Sequence, residues 1–191
     1  DNCNLEQLIN LDKELFVFLN GLGATPFDAF WQIITKQINW APFFIAVFYL
    51  LQRKIGWKNL GIIILFLAVL ITFTDQITNL FKNTFERLRP CNDIDVNQIA
   101  RIVEERSSFS FFSGHAANSM ASTMFVFLII RKFYKHTYLL FLFPLIFAYS
   151  RIYLGLHFPG DILTGYLFGG TFGFMFYKSY MFFGKKYNFI K

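Results

Sequence analysis

Three short stretches of this chain place imidazole, guanidinium, ammonium and carboxylate groups at spacings suited to handling a phosphoryl group. In one of them Ser150 and Arg151 are followed by His157, Phe158, Pro159, Gly160 and Asp161, so that histidine and aspartate stand four residues apart. In a helix or a tight turn this spacing brings a carboxylate to one ring nitrogen, fixes the tautomer and leaves the other nitrogen free to attack. Pro159 disfavours a continuous helix from His157, so the contact is expected across a helix start. The plainer reading is a satisfied His and Asp pair at a helix start with no chemistry attached.

The second stretch, Phe112, Ser113, Gly114, His115, opens an apolar run. A helix N-terminus there offers unpaired backbone N–H groups and the positive end of the helix dipole. Ser113 can cap the helix and present its hydroxyl, and Gly114 lets a phosphate oxygen come close to the backbone. The third stretch runs from Lys82 to Arg89 and Pro90. If the preceding helix continues, Lys82 and Arg89 project from one face and grip a phosphoryl group with one point charge and one planar fork. Taken singly, each stretch also reads as an interfacial anchor, a helix cap or an interfacial histidine.

The elements that must position these groups are membrane helices. Of 191 residues, 55% are hydrophobic and 28 are phenylalanine, and the mean hydropathy is +0.43, too apolar for a soluble domain to be the first reading. The expected fold is all-α: a polytopic membrane helical bundle of about five transmembrane helices plus an N-terminal amphipathic interfacial helix. From Asn4 to Asn20, Leu5, Leu8, Ile9, Leu15, Phe16 and Leu19 recur at helical spacing while Glu6, Asp12 and Lys13 interrupt any continuous apolar run. Gly21 and Gly23 close that helix, and a second, entered through Pro26 near Asp28, is expected to run on through a kink at Pro42 to Leu51 as the first span. Later spans are expected over Leu60 to Ile77, Ala116 to Ile130, Tyr138 to Ser150 and Ile162 to Phe183, with a polar loop from Lys82 to His115. No internal repeat or flexible linker divides the chain, so residues 1–191 read as a single membrane domain. Within it, 1–26 is the interfacial segment, 82–115 the loop holding the first two stretches, and 150–161 the last.

The net charge of +6 sits mostly in short connections between apolar runs, not in a basic stripe, which argues against a nucleic-acid partner. One side of the expected bundle carries Arg53, Lys54, Lys58, Arg131, Lys132, Lys135, Lys178, Lys185, Lys186 and Lys191 with no Asp or Glu. The acidic residues, apart from the span-embedded Asp75, fall on the other side. By the positive-inside rule the purely basic side is cytoplasmic, and the three chemical stretches face outward, which in a bacterium is the periplasm. The first residues lack a basic n-region and apolar core, so the spans themselves are expected to direct insertion. Cys3 and Cys91 would both face that oxidising side, where they either pair or remain thiols.

Together the stretches resemble the three signature motifs of the type-two phosphatidic acid phosphatase family: Lys, six residues, Arg-Pro; Pro-Ser-Gly-His; and Ser-Arg, five residues, His, three residues, Asp. Here they are Lys82 to Arg89-Pro90, Ser113-Gly114-His115, and Ser150-Arg151 to His157 to Asp161, in the same order, with Phe112 in place of the proline. The resemblance implies that His157 attacks phosphorus and forms a phosphohistidine, that Asp161 orients its ring, and that His115 protonates the leaving oxygen and later activates water. It implies that Lys82, Arg89, Arg151, Ser113 and Gly114 hold the non-bridging oxygens, with no metal and no cofactor. The implied substrate is a lipid phosphate in the bilayer, with undecaprenyl diphosphate, phosphatidylglycerophosphate, phosphatidic acid and lipid A 1-phosphate as candidates. The implied location is the bacterial inner membrane, multi-pass, with the site facing the periplasm; oligomeric state is left open. Two other readings stand beside hydrolysis: a lipid phosphotransferase using the same intermediate, and a catalytically silent lipid-binding membrane protein.

Overall fold

A computed structural model describes residues 2–187, with side chains from Leu5 onward; Cys3, and any pairing of it with Cys91, lies outside the described side chains. The described residues contain six α-helices and no strand: α1 (Asn2–Gly21), α2 (Asp28–Ile34), α3 (Ala41–Phe85), α4 (Gly114–Ile130), α5 (Leu142–Tyr153) and α6 (Pro159–Lys186). The interfacial helix expected over residues 4–20 is α1, and exposed Leu5, Leu8, Leu11, Leu15 and Phe18 line it.

The expected first span is corrected at its start. Helix α2 stops at Ile34, where Thr35 caps it, and a 3-10 turn over Gln37–Trp40 leads into α3. Pro42 lies in the first turn of α3, where its missing N–H costs nothing, so it starts a helix where a kink was expected. Among the described residues, the helix that is long and apolar enough to cross a bilayer, by length and composition, is the one that contains α3. Helix α3 is two arms, 41–55 and 57–85, separated at Gly56, whose φ of 77° and ψ of 170° break the helical path. Only glycine takes up that backbone without strain. Phe43, Phe44, Val47 and Phe48 of the first arm line one cavity with Ile64, Leu67, Ala68 and Ile71 of the second, and Val47 and Leu51 share a buried cluster with Leu60, Ile63 and Leu67, so the second arm folds back on the first as a hairpin. At its turn, Tyr134 Oη donates to the Leu50 carbonyl at 3.2 Å and Lys54 lies over the Tyr134 ring, which puts the 52–59 and 131–137 connections at one end.

Helices α4 and α6 form the central pair, and backbone proximity explains their contact. Gly165, Gly169 and Gly173 recur every fourth residue of α6 and face Ser113, Ala117 and Ala121 of α4. A Cβ at Gly169 would lie 2.2 Å from the Ala117 carbonyl oxygen, so the helices approach as closely as the small-residue packing typical of membrane helices permits. Apolar side chains cover the outside, with Leu65, Leu163 and Leu167 more than 60% exposed, whereas Thr74, Thr78, Asn118 and Ser119 are buried within. Asp75, which lies within the second arm, accepts from Asn118 Nδ2 at 2.6 Å. Apolar outside and polar inside is the arrangement expected of a bundle solvated by lipid.

Candidate active site

The chemical side chains gather at the end of the bundle opposite the Gly56 turn. Helix α5 ends in a Schellman motif: Gly155 N–H donates to the Ile152 carbonyl at 3.1 Å and Leu156 N–H to the Arg151 carbonyl at 2.9 Å. Gly155 takes a φ of 84° to make that turn and brings His157 back over the bundle. Helix α6 then begins at Pro159, and Asp161 Oδ2 accepts from the Phe158 backbone N–H at 3.0 Å, the reach-back half of a capping box. The His157 to Asp161 contact therefore forms across a helix start, with Nδ1 and Oδ2 3.5 Å apart.

That separation is long for a hydrogen bond, and a third residue fills it. Ser110 Oγ lies 3.2 Å from His157 Nδ1 and donates to Asp161 Oδ2. On the other side of the ring, Arg89 Nη1 stands 3.1 Å from Nε2. A guanidinium can only donate, so Nε2 carries the lone pair and Nδ1 the hydrogen. His157 is thus held as the neutral tautomer, its proton shared toward Ser110 and Asp161. Burial first, then the charges of Arg89, Arg151, Lys82 and Arg87, hold its pKa well below the ordinary imidazole value of 6.5.

Arg89 is fixed by Ser108, whose carbonyl accepts from Nε at 2.6 Å and whose hydroxyl accepts from Nη2 at 3.0 Å, and by the Leu156 carbonyl at 2.9 Å. It does not extend the helix that carries Lys82. Helix α3 ends at Phe85, Glu86 adopts a left-handed φ of 47°, and Arg89 lies in extended backbone. The expected shared helical face of Lys82 and Arg89 is therefore corrected: Lys82 stands in the last turn of α3, and Arg89 enters from the loop, which is confined to the residues between Phe85 and Gly114.

Ser113 caps α4, accepting from Ala116 N–H at 3.4 Å, and its own N–H donates to the Asp161 carbonyl at 3.1 Å, tying the starts of α4 and α6 together. Gly114 faces Thr78 of the second arm, with room for a Cβ only at 3.3 Å from the threonine methyl. His115 stacks on Phe147 at 5.2 Å and, with Arg151, lines a cavity of about 490 Å³ whose wall also includes Thr35, Gln37, Glu104 and Arg106. Arg151 is 2% exposed; its Nη1 donates to Thr35 Oγ1 at 2.6 Å, and its Nε has no hydrogen-bond partner. A buried guanidinium with an unmatched N–H is costly until an anion arrives. Phe112 fills its place by packing on Phe168, with ring centroids 5.0 Å apart and nearly parallel planes, and on Phe81 at 5.3 Å.

The sequence pattern of the PAP2 superfamily matches residues 61–185, which takes in every one of these motif side chains. The chain belongs to the PAP2 superfamily. Among PAP2 relatives, the lipid A 4'-phosphatase of Bacteroides thetaiotaomicron is 34% identical over 177 residues, covering 91% of this chain and 78% of that protein. The lipid A 4'-phosphatase of Porphyromonas gingivalis is 30% identical, covering 93% and 76%. Among solved PAP2 structures, the transmembrane phosphatidylglycerolphosphate phosphatase of Bacillus subtilis superposes with a TM-score of 0.69 at 20% identity, over 97% of this chain and 88% of that one. That likeness concerns the fold alone.

Three side chains in this PAP2 site carried no signal in the motif spacing. Ser110 sits between His157 and Asp161. Arg87, between the motif residues Lys82 and Arg89, donates to Asp161 Oδ1 at 2.8 Å. Asp12, from α1, accepts from Arg87 at 2.6 Å. For Ser110, nearness to Ser113 in sequence was the available hint; for Asp12, 149 residues from Asp161, there was none.

Proposed function

We propose that this PAP2 protein hydrolyses a lipid phosphomonoester or diphosphate at the periplasmic face of the bacterial inner membrane, through a phosphohistidine on His157 and with no metal ion. The observation that carries the reading is the His157 ring itself: Nδ1 is tied toward Ser110 and Asp161, and the Nε2 lone pair faces a guanidinium. As a phosphoryl group enters, Arg89 exchanges Nε2 for a phosphoryl oxygen, and Nε2 is released toward phosphorus. The Nε2–P bond forms, the bond from phosphorus to the lipid oxygen breaks, and that oxygen takes a proton from His115. His115 then accepts a proton from water, whose oxygen attacks phosphorus. Inorganic phosphate leaves and Nε2 regains its lone pair.

Lys82, Arg89 and Arg151 supply the positive charge that stabilises the transferring group, with Ser113 and the Gly114 N–H at the α4 start. Asp161 balances the ring as it becomes cationic. The chain spans most of the length of two relatives named lipid A 4'-phosphatases, which favours a phosphomonoester on a glycolipid as the preferred substrate. A test is release of free phosphate, with EDTA present, from detergent-solubilised lipid A species phosphorylated at the 4' or the 1 position, undecaprenyl diphosphate, phosphatidylglycerophosphate and phosphatidic acid. Turnover should persist in EDTA, be highest on lipid A carrying the 4'-phosphate, and be abolished by His157→Ala. A requirement for added magnesium, or phosphate release by His157→Ala, overturns the mechanism. Transfer to a lipid or sugar hydroxyl without phosphate release would make the chain a phosphotransferase.

A further inference from the structure

Helix α1 lies before the residues matched to the superfamily, which begin at 61, yet it reaches the site. Asp12 Oδ2 accepts from Arg87 Nη2 at 2.6 Å, and Asp12 Oδ1 accepts from the Gly160 backbone N–H at 2.7 Å. The other end of the same guanidinium, Nη1, donates to Asp161 Oδ1 at 2.8 Å, and its carbon lies 4.3 Å from the Phe158 ring centroid. Gly160 is needed for this approach, because a Cβ there would stand 2.8 Å from Asp12 Oδ2. The helix that delivers Asp12 is firmly held. Phe16 is fully buried, edge-on to Phe158 at 5.3 Å. Asn20 is also fully buried and donates to the carbonyls of Ile152 and Tyr153 at 3.0 and 3.1 Å. Lys13 pairs with Asp93 at 2.9 Å.

We infer that Asp12 is a positioning residue for phosphoryl transfer, which neutralises Arg87 so that Asp161 keeps its negative charge for the His157 ring. The inference rests on His157 being the nucleophile. One guanidinium stands between two carboxylates. With both present, the cluster of Asp12, Arg87 and Asp161 carries one net negative charge, and Asp161 directs it at the imidazole. Without Asp12, Arg87 cancels Asp161, and the ring loses its counter-charge at the moment the Nε2–P bond makes it cationic. Anion binding responds in the opposite sense: removing a negative charge makes the site more attractive to phosphate-like ions. That opposition separates charge balance from damage to the fold, which weakens both.

The test uses the full chain in detergent, comparing Asp12→Asn, Asp12→Glu and the double variant Asp12→Asn/Arg87→Gln with the unaltered protein. Thermal unfolding checks each fold, and kcat, KM and inhibition by orthovanadate are measured. Asp12→Asn should lower kcat roughly tenfold, the scale of one neighbouring charge on a partly buried titratable group, while the vanadate inhibition constant stays constant or falls. Asp12→Glu should retain most of kcat. The double variant, which frees Asp161 again, should exceed Asp12→Asn, where two independent structural losses would add. An unchanged kcat in Asp12→Asn, a parallel loss of kcat and vanadate affinity, or failure of both Asn-containing variants to fold overturns the inference. His157→Asn, run alongside, distinguishes the cases: activity in His157→Asn sinks the nucleophile reading, whereas an inactive His157→Asn beside a normal Asp12→Asn sinks only the role of Asp12.

Discussion

Both ring nitrogens of His157 are committed before substrate arrives, and the cost of holding a neutral imidazole among four cations should be visible in the stability of the protein. The unfolded chain takes up a proton on this residue near the ordinary value of 6.5, whereas the folded state, with its pKa pushed well below that by burial and by neighbouring positive charge, does not. Below that value the unfolded state binds more protons than the native one, so stability falls as pH falls; above it the two states match and the effect vanishes. The unfolding temperature in detergent should therefore drop between pH 7.5 and 5.5 in the unaltered protein, and drop less in His157→Asn. Equal slopes would mean that His157 gains its proton in the folded state. The relation of His157 to Asp161 was legible in sequence because the chain itself brings positions four apart together at a helix start. Ser110, Arg87 and Asp12 were not, because each meets the pair from a distant segment and no local spacing encodes that meeting.

At the scale of elements, the site depends on how closely α4 and α6 run, since Ser113 N–H reaches the Asp161 carbonyl only when the two helix starts lie side by side. The glycine stripe of α6 makes that possible and gives a paired test. A methyl at Gly169 would meet the Ala117 carbonyl oxygen at 2.2 Å, whereas one at Gly170 would meet Met120 Cγ at 3.8 Å, an ordinary contact. Gly169→Ala should force the helices apart, cost about 1–3 kcal/mol as an overpacked contact and depress turnover. Gly170→Ala should be tolerated, with a small gain from helix propensity. Unfolding temperature and phosphate release measured on both would decide; equal tolerance would mean that the helices do not lie as close as described. The periodic glycines are visible in sequence, as are the apolar runs that became α4 and α6. Their partner is not, since a stripe of small residues names no facing helix. The helix end at Phe85 leaves no mark in the sequence, since Lys82 to Arg89 keeps unbroken helical spacing; beyond that end Arg89 docks from the loop onto the Ser108 and Leu156 carbonyls, contacts that no local pattern encodes.

For the whole molecule, the distribution of charge sets an expectation for which end of the bundle faces which compartment. The hairpin turn at Gly56, with Arg53, Lys54 and Lys58, stands beside the 131–137 connection, with Arg131, Lys132 and Lys135, through the contacts of Tyr134 with Leu50 and Lys54. The site end carries paired charges: Lys13 with Asp93 and Asp95, Arg87 with Asp12 and Asp161, and Arg106 with Glu104. The positive-inside rule weighs Lys and Arg in short connections, and the two connections at the turn end hold six of them, so the site should open to the periplasm. Lys54 and Lys135 are exposed at the basic end, and Asp95 and Glu105 at the other. With both native cysteines changed to serine, single cysteines at these four positions can be probed in spheroplasts with a membrane-impermeant maleimide. Labelling should occur at 95 and 105, and at 54 and 135 only after lysis. The reverse pattern would turn the site toward the cytoplasm, where a lipid phosphate exposed at the outer leaflet could not reach His157.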